Sequence, residues 1–207
     1  MDATVDSAAR AGHVKRGRLL EYFTLAWNLL EAFIAIFSGI VAGSISLFGF
    51  GIDSVIECMS GGVLLWRLRE GEHGESREKL ALKLVGISFL ALAAYIAFEA
   101  VKSLIAHEPP AVSYIGIAIA ALSLVVMPLL ARAKRGVAKA IHSHALEADA
   151  RQSDLCAYLS AILLVGLVLN AIFGWWWADP VAGLLMMPII AKEGVDALRG
   201  KACDDCH

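Results

Sequence analysis

Charge is scarce in these 207 residues. Only 18% of them are charged and 58% are apolar, where a soluble domain has about 25% and 45–50%. The shortage excludes a disordered chain and leaves too little polar surface to cover a water-soluble core. Neither sign of charge dominates: 18 basic residues face 20 acidic ones, a net charge of −2. A nucleic-acid binder needs a basic face, so that class is excluded. Cysteine is sparse as well. Cys58 and Cys156 lie in apolar segments, and Cys203 and Cys206 lie in the last seven residues. Four thiols so placed are no disulfide framework for a small secreted fold.

What the chain does have is long apolar runs. A helix across a bilayer core needs about 20 mostly apolar residues. Six stretches qualify: Leu19 to Val41, Ser44 to Trp66, Leu80 to Ile105, Ala111 to Leu130, Val137 to Phe173, and Trp175 to Leu198. The first is long enough to span, so it reads as a retained helix and not a cleaved signal peptide. The fifth is too long to be all membrane, so its first part is expected to project into the cytoplasm. Sixteen of the 18 basic residues fall at the N-terminus, the second and fourth connections and the C-terminal end. Cytoplasmic loops carry the Lys/Arg excess, and Trp175, Trp176 and Trp177 suit the opposite interface. The expectation is an all-α membrane protein with six transmembrane helices and both termini cytoplasmic. Residues 1–18 form a cytoplasmic segment, 19–199 the transmembrane domain and 200–207 a short tail. Pro128 and Pro188 fall late in spans, where each either kinks or breaks its helix.

Charged groups inside a span cost at least ~2.5–3.5 kcal/mol each on insertion scales, so those that are present are informative. Asp53 and Glu57 are four apart and share one face of the second helix. Two ionised carboxylates this close repel, and no Lys or Arg follows in that helix before Arg67. A bound divalent cation relieves them most economically; the alternative is a protonated or paired acid packed against a neighbour. In the fifth helix Glu147, Arg151 and Asp154 have the spacing of a salt-bridge ladder, which makes Asp154 structural. Asp149, Ser153 and Cys156 follow the same spacing on another face. Asp149 has no local partner there, and is either a metal ligand or an acid solvated at the interface. Asn28 and Glu31 share a face of the first helix. Glu31 is either a group supporting the site or carrying protons, or a packing acid paired elsewhere. Glu99 with Lys102 reads as a local ion pair. Gly49 and Gly51 thin the helix surface beside the carboxylates, which fits a metal cavity or plain close packing. The tail Cys203-Asp-Asp-Cys206-His207 offers an accessory cytoplasmic metal site, since thiolates and imidazole suit Zn²⁺; the alternative is a flexible end. Haem attachment, which that spacing also matches, needs the other side of the membrane.

These residues resemble the cation diffusion facilitator family of divalent-metal transporters. Gly43-Ser-Ile-Ser-Leu-Phe-Gly-Phe-Gly-Ile-Asp53-Ser-Val-Ile-Glu57 is similar to the family's second helix, with Glu57 as the second acid of its pair. Ala148-Asp149-Ala150 with Ser153-Asp154 is similar to the fifth-helix motif, and Trp177-Ala178-Asp179-Pro180 to the start of the sixth. The likeness covers nearly all of Leu19 to Arg199. The family's His-x-x-x-Asp positions fall here on Ser153 and Ala157, with Asp149 one turn below. The resemblance therefore implies Asp53, Glu57 and Asp149 as metal ligands and Ser153 as a fourth ligand or a water holder. Asp154 is the rival on the fifth helix, and Asn28, Glu31 and Asp154 are candidates for the surrounding shell or a proton path.

The implied function is efflux of a divalent cation, zinc first with manganese, iron or cobalt as alternatives, by exchange for protons at the plasma membrane. The family's soluble domain has no counterpart after the sixth helix here, so dimerisation is expected through the membrane helices. An oxygen-rich site suits Mn²⁺ as well as Zn²⁺. The competing functions are an intramembrane metal-dependent enzyme and a non-transporting metal sensor or partner subunit. Either way the partners are a divalent cation, protons and lipid.

Overall fold

The computed structural model describes residues 2–70, 75–141 and 143–199. It contains six helices: α1 (Asp2–Ala42), α2 (Ile45–Glu70), α3 (Glu75–Ala106), α4 (Tyr114–Ile141), α5 (His144–Phe173) and α6 (Ala178–Leu198). No strand occurs among the described residues. Among the described residues, four stretches are long and apolar enough to cross a membrane: Gly12–Ala42, Lys83–Ala106, Tyr114–Ile141 and Asp149–Phe173. Residue 142 and the tail with Cys203, Cys206 and His207 lie outside the described residues.

The bundle is arranged around α2, which packs against α1, α3, α5 and α6. Helices α4 and α5 pair, α1 joins both α2 and α4, and α3 lies along α6. The first helix shows how the sequence directs this. Glu21, Thr24, Asn28, Glu31 and Ser38 are buried, while Phe33, Phe37 and Ile40 are exposed. The buried set recurs at helical spacing, so it forms one stripe. Polar groups face inward and apolar ones outward, the reverse of a soluble amphipathic helix and the arrangement an apolar solvent favours.

The junction of α1 and α2 is built from two residues. Gly43 has φ +66°, a left-handed conformation that glycine adopts without penalty. It lets Ser44 N–H donate to the Gly39 carbonyl at 3.0 Å and Gly43 N–H to Ile40 at 3.3 Å, closing α1 in a Schellman motif. Ser44 then caps α2, its Oγ accepting from Leu47 N–H at 3.2 Å. The same hydroxyl donates to Asp179 Oδ1 at 2.6 Å, and Ile45 N–H donates to Asp179 Oδ2 at 2.9 Å. Ser46 Oγ is a further donor to that carboxylate. Asp179, fully buried in the first turn of α6, thus places a negative charge at the positive end of α2. The Gly-Ser and Trp-Ala-Asp-Pro motifs, distant in sequence, are two halves of one joint.

Close approach of helices depends on missing side chains. A Cβ on Gly51 would lie 2.7 Å from Ile36 Cγ1 and 2.8 Å from Ile36 N, so α1 and α2 meet there along bare backbone. Gly86 and Gly194 do the same for α3 and α6: each added Cβ would fall within 2.9 Å of the other residue's carbonyl oxygen.

Two expected boundaries change. Ala131–Gly136, read as a connection, is helical, and α4 continues to Ile141. The expected fifth span from Val137 is divided: α4 ends at Ile141, and Ser143 (φ −102°, ψ 104°) caps α5 by accepting from Leu146 N–H. The physical reason is Lys134. Its charge reads as a loop residue in sequence, but it is fully buried against acids of two other helices. Pro128 and Pro188 break neither α4 nor α6. Lys102 and Glu99 do form their ion pair, at 3.2 Å.

The Asp179 joint is testable. Asp179→Ala strands the Ser44, Ser46 and Ile45 donors, and hydrogen bonds to charged groups contribute about 1.5–3 kcal/mol. The variant is expected to unfold at clearly lower temperature in detergent than the native protein. An unchanged melting temperature would show that the joint does not hold α2 to α6.

Candidate metal centre

Asp53 and Glu57 lie on successive turns of α2, both buried. Cys156 of α5 completes a group of three whose ligand atoms all lie within 4.8 Å of one another. A cavity of about 10 Å³ opens beside them, lined also by Gln152 of α5 and Glu193 of α6. That is about the least space that admits one water. Apolar side chains, Phe89, Leu159 and Ile190 among them, close the remaining walls. No hydrogen-bond donor and no counter-ion contacts the Asp53 carboxylate among the described residues.

The surrounding shell comes from α1. Asn28 Nδ2 donates to Glu57 Oε2 at 2.9 Å, which orients that carboxylate. Asn28 is 2% exposed, and its Oδ1 has no partner among the described residues. Glu31, fully buried, accepts from Ser54 Oγ at 3.0 Å, one residue along α2 from Asp53. Ser123 of α4 stands beside Glu31 on its other side. Ser54 also donates to the Phe50 carbonyl at 3.1 Å, so its hydroxyl is shared.

The fifth-helix residues divide differently from the spacing argument. Asp149 was expected to lack a local partner, but its carboxylate is paired with Lys134 of α4. Glu21 of α1 lies on the same ammonium, with Oε1 at 3.4 Å. Two acids thus share one buried cation, joining α1, α4 and α5. Neither Asp149 nor Ser153 enters the Asp53–Glu57–Cys156 group or lines its cavity. Ser153 Oγ instead donates to the Asp149 carbonyl one turn back, at 3.3 Å. Asp154 is ion-paired with Arg135 of α4, where the ladder spacing pointed to Arg151. That pair is partly exposed, its side chains 38% and 30% accessible. Arg151 is exposed, and its charge acts on Glu193 of α6.

Four residues therefore carry roles that sequence reasoning did not assign. Lys134 sits in the basic run Arg132-Ala-Lys-Arg135 and looks like its solvated neighbours. Glu21 lies just inside the first span, and only its spacing with Thr24, Asn28 and Glu31 marks the buried face. Cys156 follows Asp149 and Ser153 at helical spacing, but one thiol in an apolar run carries no signal of its own. Glu193 adjoins Lys192 and resembles a solvated helix end.

Comparison with known proteins agrees with this architecture. The family described as the cation efflux transmembrane domain matches residues 22–202. Transmembrane protein 163 of Xenopus laevis is 28% identical over 187 residues, covering 89% of this chain and 66% of that protein. An uncharacterized transporter of Methanocaldococcus jannaschii is 33% identical over 182 residues, 84% of this chain and 64% of that one. The cation-efflux pump FieF of Shewanella oneidensis is 27% identical over 128 residues, 60% of this chain and 41% of that pump. The chain spans two thirds or less of the length of these relatives.

The Lys134 triad makes a specific prediction. Lys134→Ala leaves Glu21 and Asp149 buried without a cation, and breaking a buried pair costs about 3–5 kcal/mol. Folded yield should fall sharply, and adding Glu21→Gln and Asp149→Asn to the same chain should restore much of it. A normally stable Lys134→Ala protein would contradict the triad.

Proposed function

Because the chain belongs to the cation efflux family, we propose that it moves divalent metal cations out of the cytoplasm, binding each at Asp53 and Glu57 and exchanging it for protons. The observation that carries this reading is the buried carboxylate pair: two acids one turn apart, beside a small cavity, with no cation between them among the described residues. Such a pair is costly in an apolar interior unless a cation or protons occupy it. The two cargoes compete for the same oxygens, and that competition is the coupling. A metal ion binds when the acids are ionised. Protons arriving from the far side displace it and keep the empty site neutral on the return. Asn28 holds Glu57 in its binding orientation, and Glu31, linked to α2 through Ser54, relays protons beside the site. Glu193 lies at the α6 wall of the cavity as a carboxylate on the ion's path.

On this reading all six helices cross the membrane with both termini in the cytoplasm, in keeping with the distribution of Lys and Arg. Zinc is the first candidate cargo, and two copies assemble through their membrane helices in the cell membrane. Asp149 is the ligand candidate that α5 uses otherwise: with Lys134 and Glu21 it anchors α5 to α1 and α4. Alternating access then comes from helices rocking about the fixed site.

Flux into proteoliposomes tests this, with zinc, manganese, iron and cobalt offered at two internal pH values. Asp53→Asn and Glu57→Gln should abolish metal movement in folded protein. Asn28→Ala should weaken metal affinity by about 10–100-fold, the usual consequence of losing a group that orients a ligand. Because metal binding requires deprotonated ligands, affinity should fall as pH is lowered through the carboxylate range. Native-level flux in Asp53→Asn would remove the α2 pair as the transport site, and turnover of a substrate without flux would favour an enzyme.

A further inference from the structure

We propose that the Cys156 thiolate is a third ligand to the transported ion, and that it biases the site towards soft divalent cations such as zinc and cadmium over manganese and magnesium. This rests on the reading of Asp53 and Glu57 as the cargo site. The argument begins with geometry. Bonds of about 2.0 Å from zinc to a carboxylate oxygen and about 2.3 Å to a thiolate sulfur put neighbouring ligand atoms of a tetrahedral site roughly 3.3–3.5 Å apart. The Asp53, Glu57 and Cys156 atoms already lie within 4.8 Å of one another, so side-chain adjustments of about an ångström close them on one ion. All three line one small cavity of about 10 Å³.

The other groups at the site support this assignment. Cys58 is next to Glu57 in sequence, but its Sγ is turned to the Leu25 carbonyl at 3.6 Å, away from the cavity. Cys156 is fully buried on the opposite wall, presented by α5 to α2. Asn28 holds Glu57 through its Nδ2 at 2.9 Å, and its buried Oδ1 has no donor among the described residues. Two oxygens and one sulfur form a mixed donor set. Carboxylate and water suit magnesium and manganese, whereas thiolate selects softer ions. On ligation the S–H bond breaks, a metal–sulfur bond forms, and the proton leaves to water.

The test uses the full chain with Cys203→Ser and Cys206→Ser, so that tail thiols contribute no sulfur. X-ray absorption of the zinc-loaded protein should show one sulfur neighbour at about 2.3 Å. Cobalt as the probe should give a sulfur-to-metal charge-transfer band. That band should vanish on adding Cys156→Ser and persist on adding Cys58→Ser. Zinc-over-manganese preference in direct binding should fall at least about 10-fold in Cys156→Ser, the lower end of what even an outer-shell change costs. A zinc shell of oxygen alone, in a protein whose binding still requires Asp53, would overturn the thiolate and leave the carboxylate site standing. Loss of the band with Cys58→Ser in place of Cys156→Ser would do the same. Binding unaffected by Asp53→Asn would instead overturn the underlying site. The absorption measurement needs no substitution at Cys156, so it decides the matter even if Cys156→Ser does not fold.

Discussion

The whole arrangement depends on one constraint: a charge held inside an apolar bundle must find its compensation there. Solvation by water is withdrawn, and each ionised group left alone is costly. This chain meets the constraint in three ways around α2 and its neighbours. At the N-terminus of α2, Asp179 is compensated by hydroxyl and backbone donors and by the helix dipole. Between α1, α4 and α5, Lys134 compensates two acids at once. At the middle of α2, Asp53 and Glu57 have the Asn28 amide and a small cavity, but no cation in contact among the described residues.

The contrast between these places is what gives the centre its chemistry. The Asp179 joint and the Lys134 triad are complete within the protein, and their satisfied groups tie helices together. The central pair has only the Asn28 amide and a small cavity beside it among the described residues. Its position follows from packing, because α2 is the helix that meets α1, α3, α5 and α6. The α2 carboxylates therefore share one cavity with groups from α3, α5 and α6, while α1 reaches Glu57 through Asn28. Glycine makes close packing possible nearby: Gly51, two residues before Asp53, brings α1 onto α2 along bare backbone. Moving any of these helices changes the surroundings of the carboxylate pair.

Several parts of this structure were readable in one dimension because they depend on local spacing. Apolar runs of sufficient length locate six helices, Asp53 and Glu57 fall on one face by the helical period, and Lys102 reaches Glu99 three residues away. The resemblance of the Gly-Ser and Trp-Ala-Asp-Pro segments to a known family pointed to the correct one, which the match over residues 22–202 bears out. All of these rest on neighbours within a turn or two, or on a motif whose residues are contiguous.

What only the tertiary structure decided is which charge meets which. Asp149 and Asp154 are five residues apart, and the sequence left Asp149 as either a metal ligand or an interfacial acid and placed Asp154 beside Arg151 on their own helix, with Asp154 the rival ligand. The fold pairs them instead with Lys134 and Arg135, adjacent residues of α4, because α4 and α5 lie against each other and present those side chains across the contact. Lys134 reads as a loop cation because its burial is a property of three helices and not of its own segment. Cys156 likewise becomes a candidate ligand only when α5 carries it to within reach of α2. Helical period specifies the face on which a residue lies; the packing of one helix against another determines what that face touches.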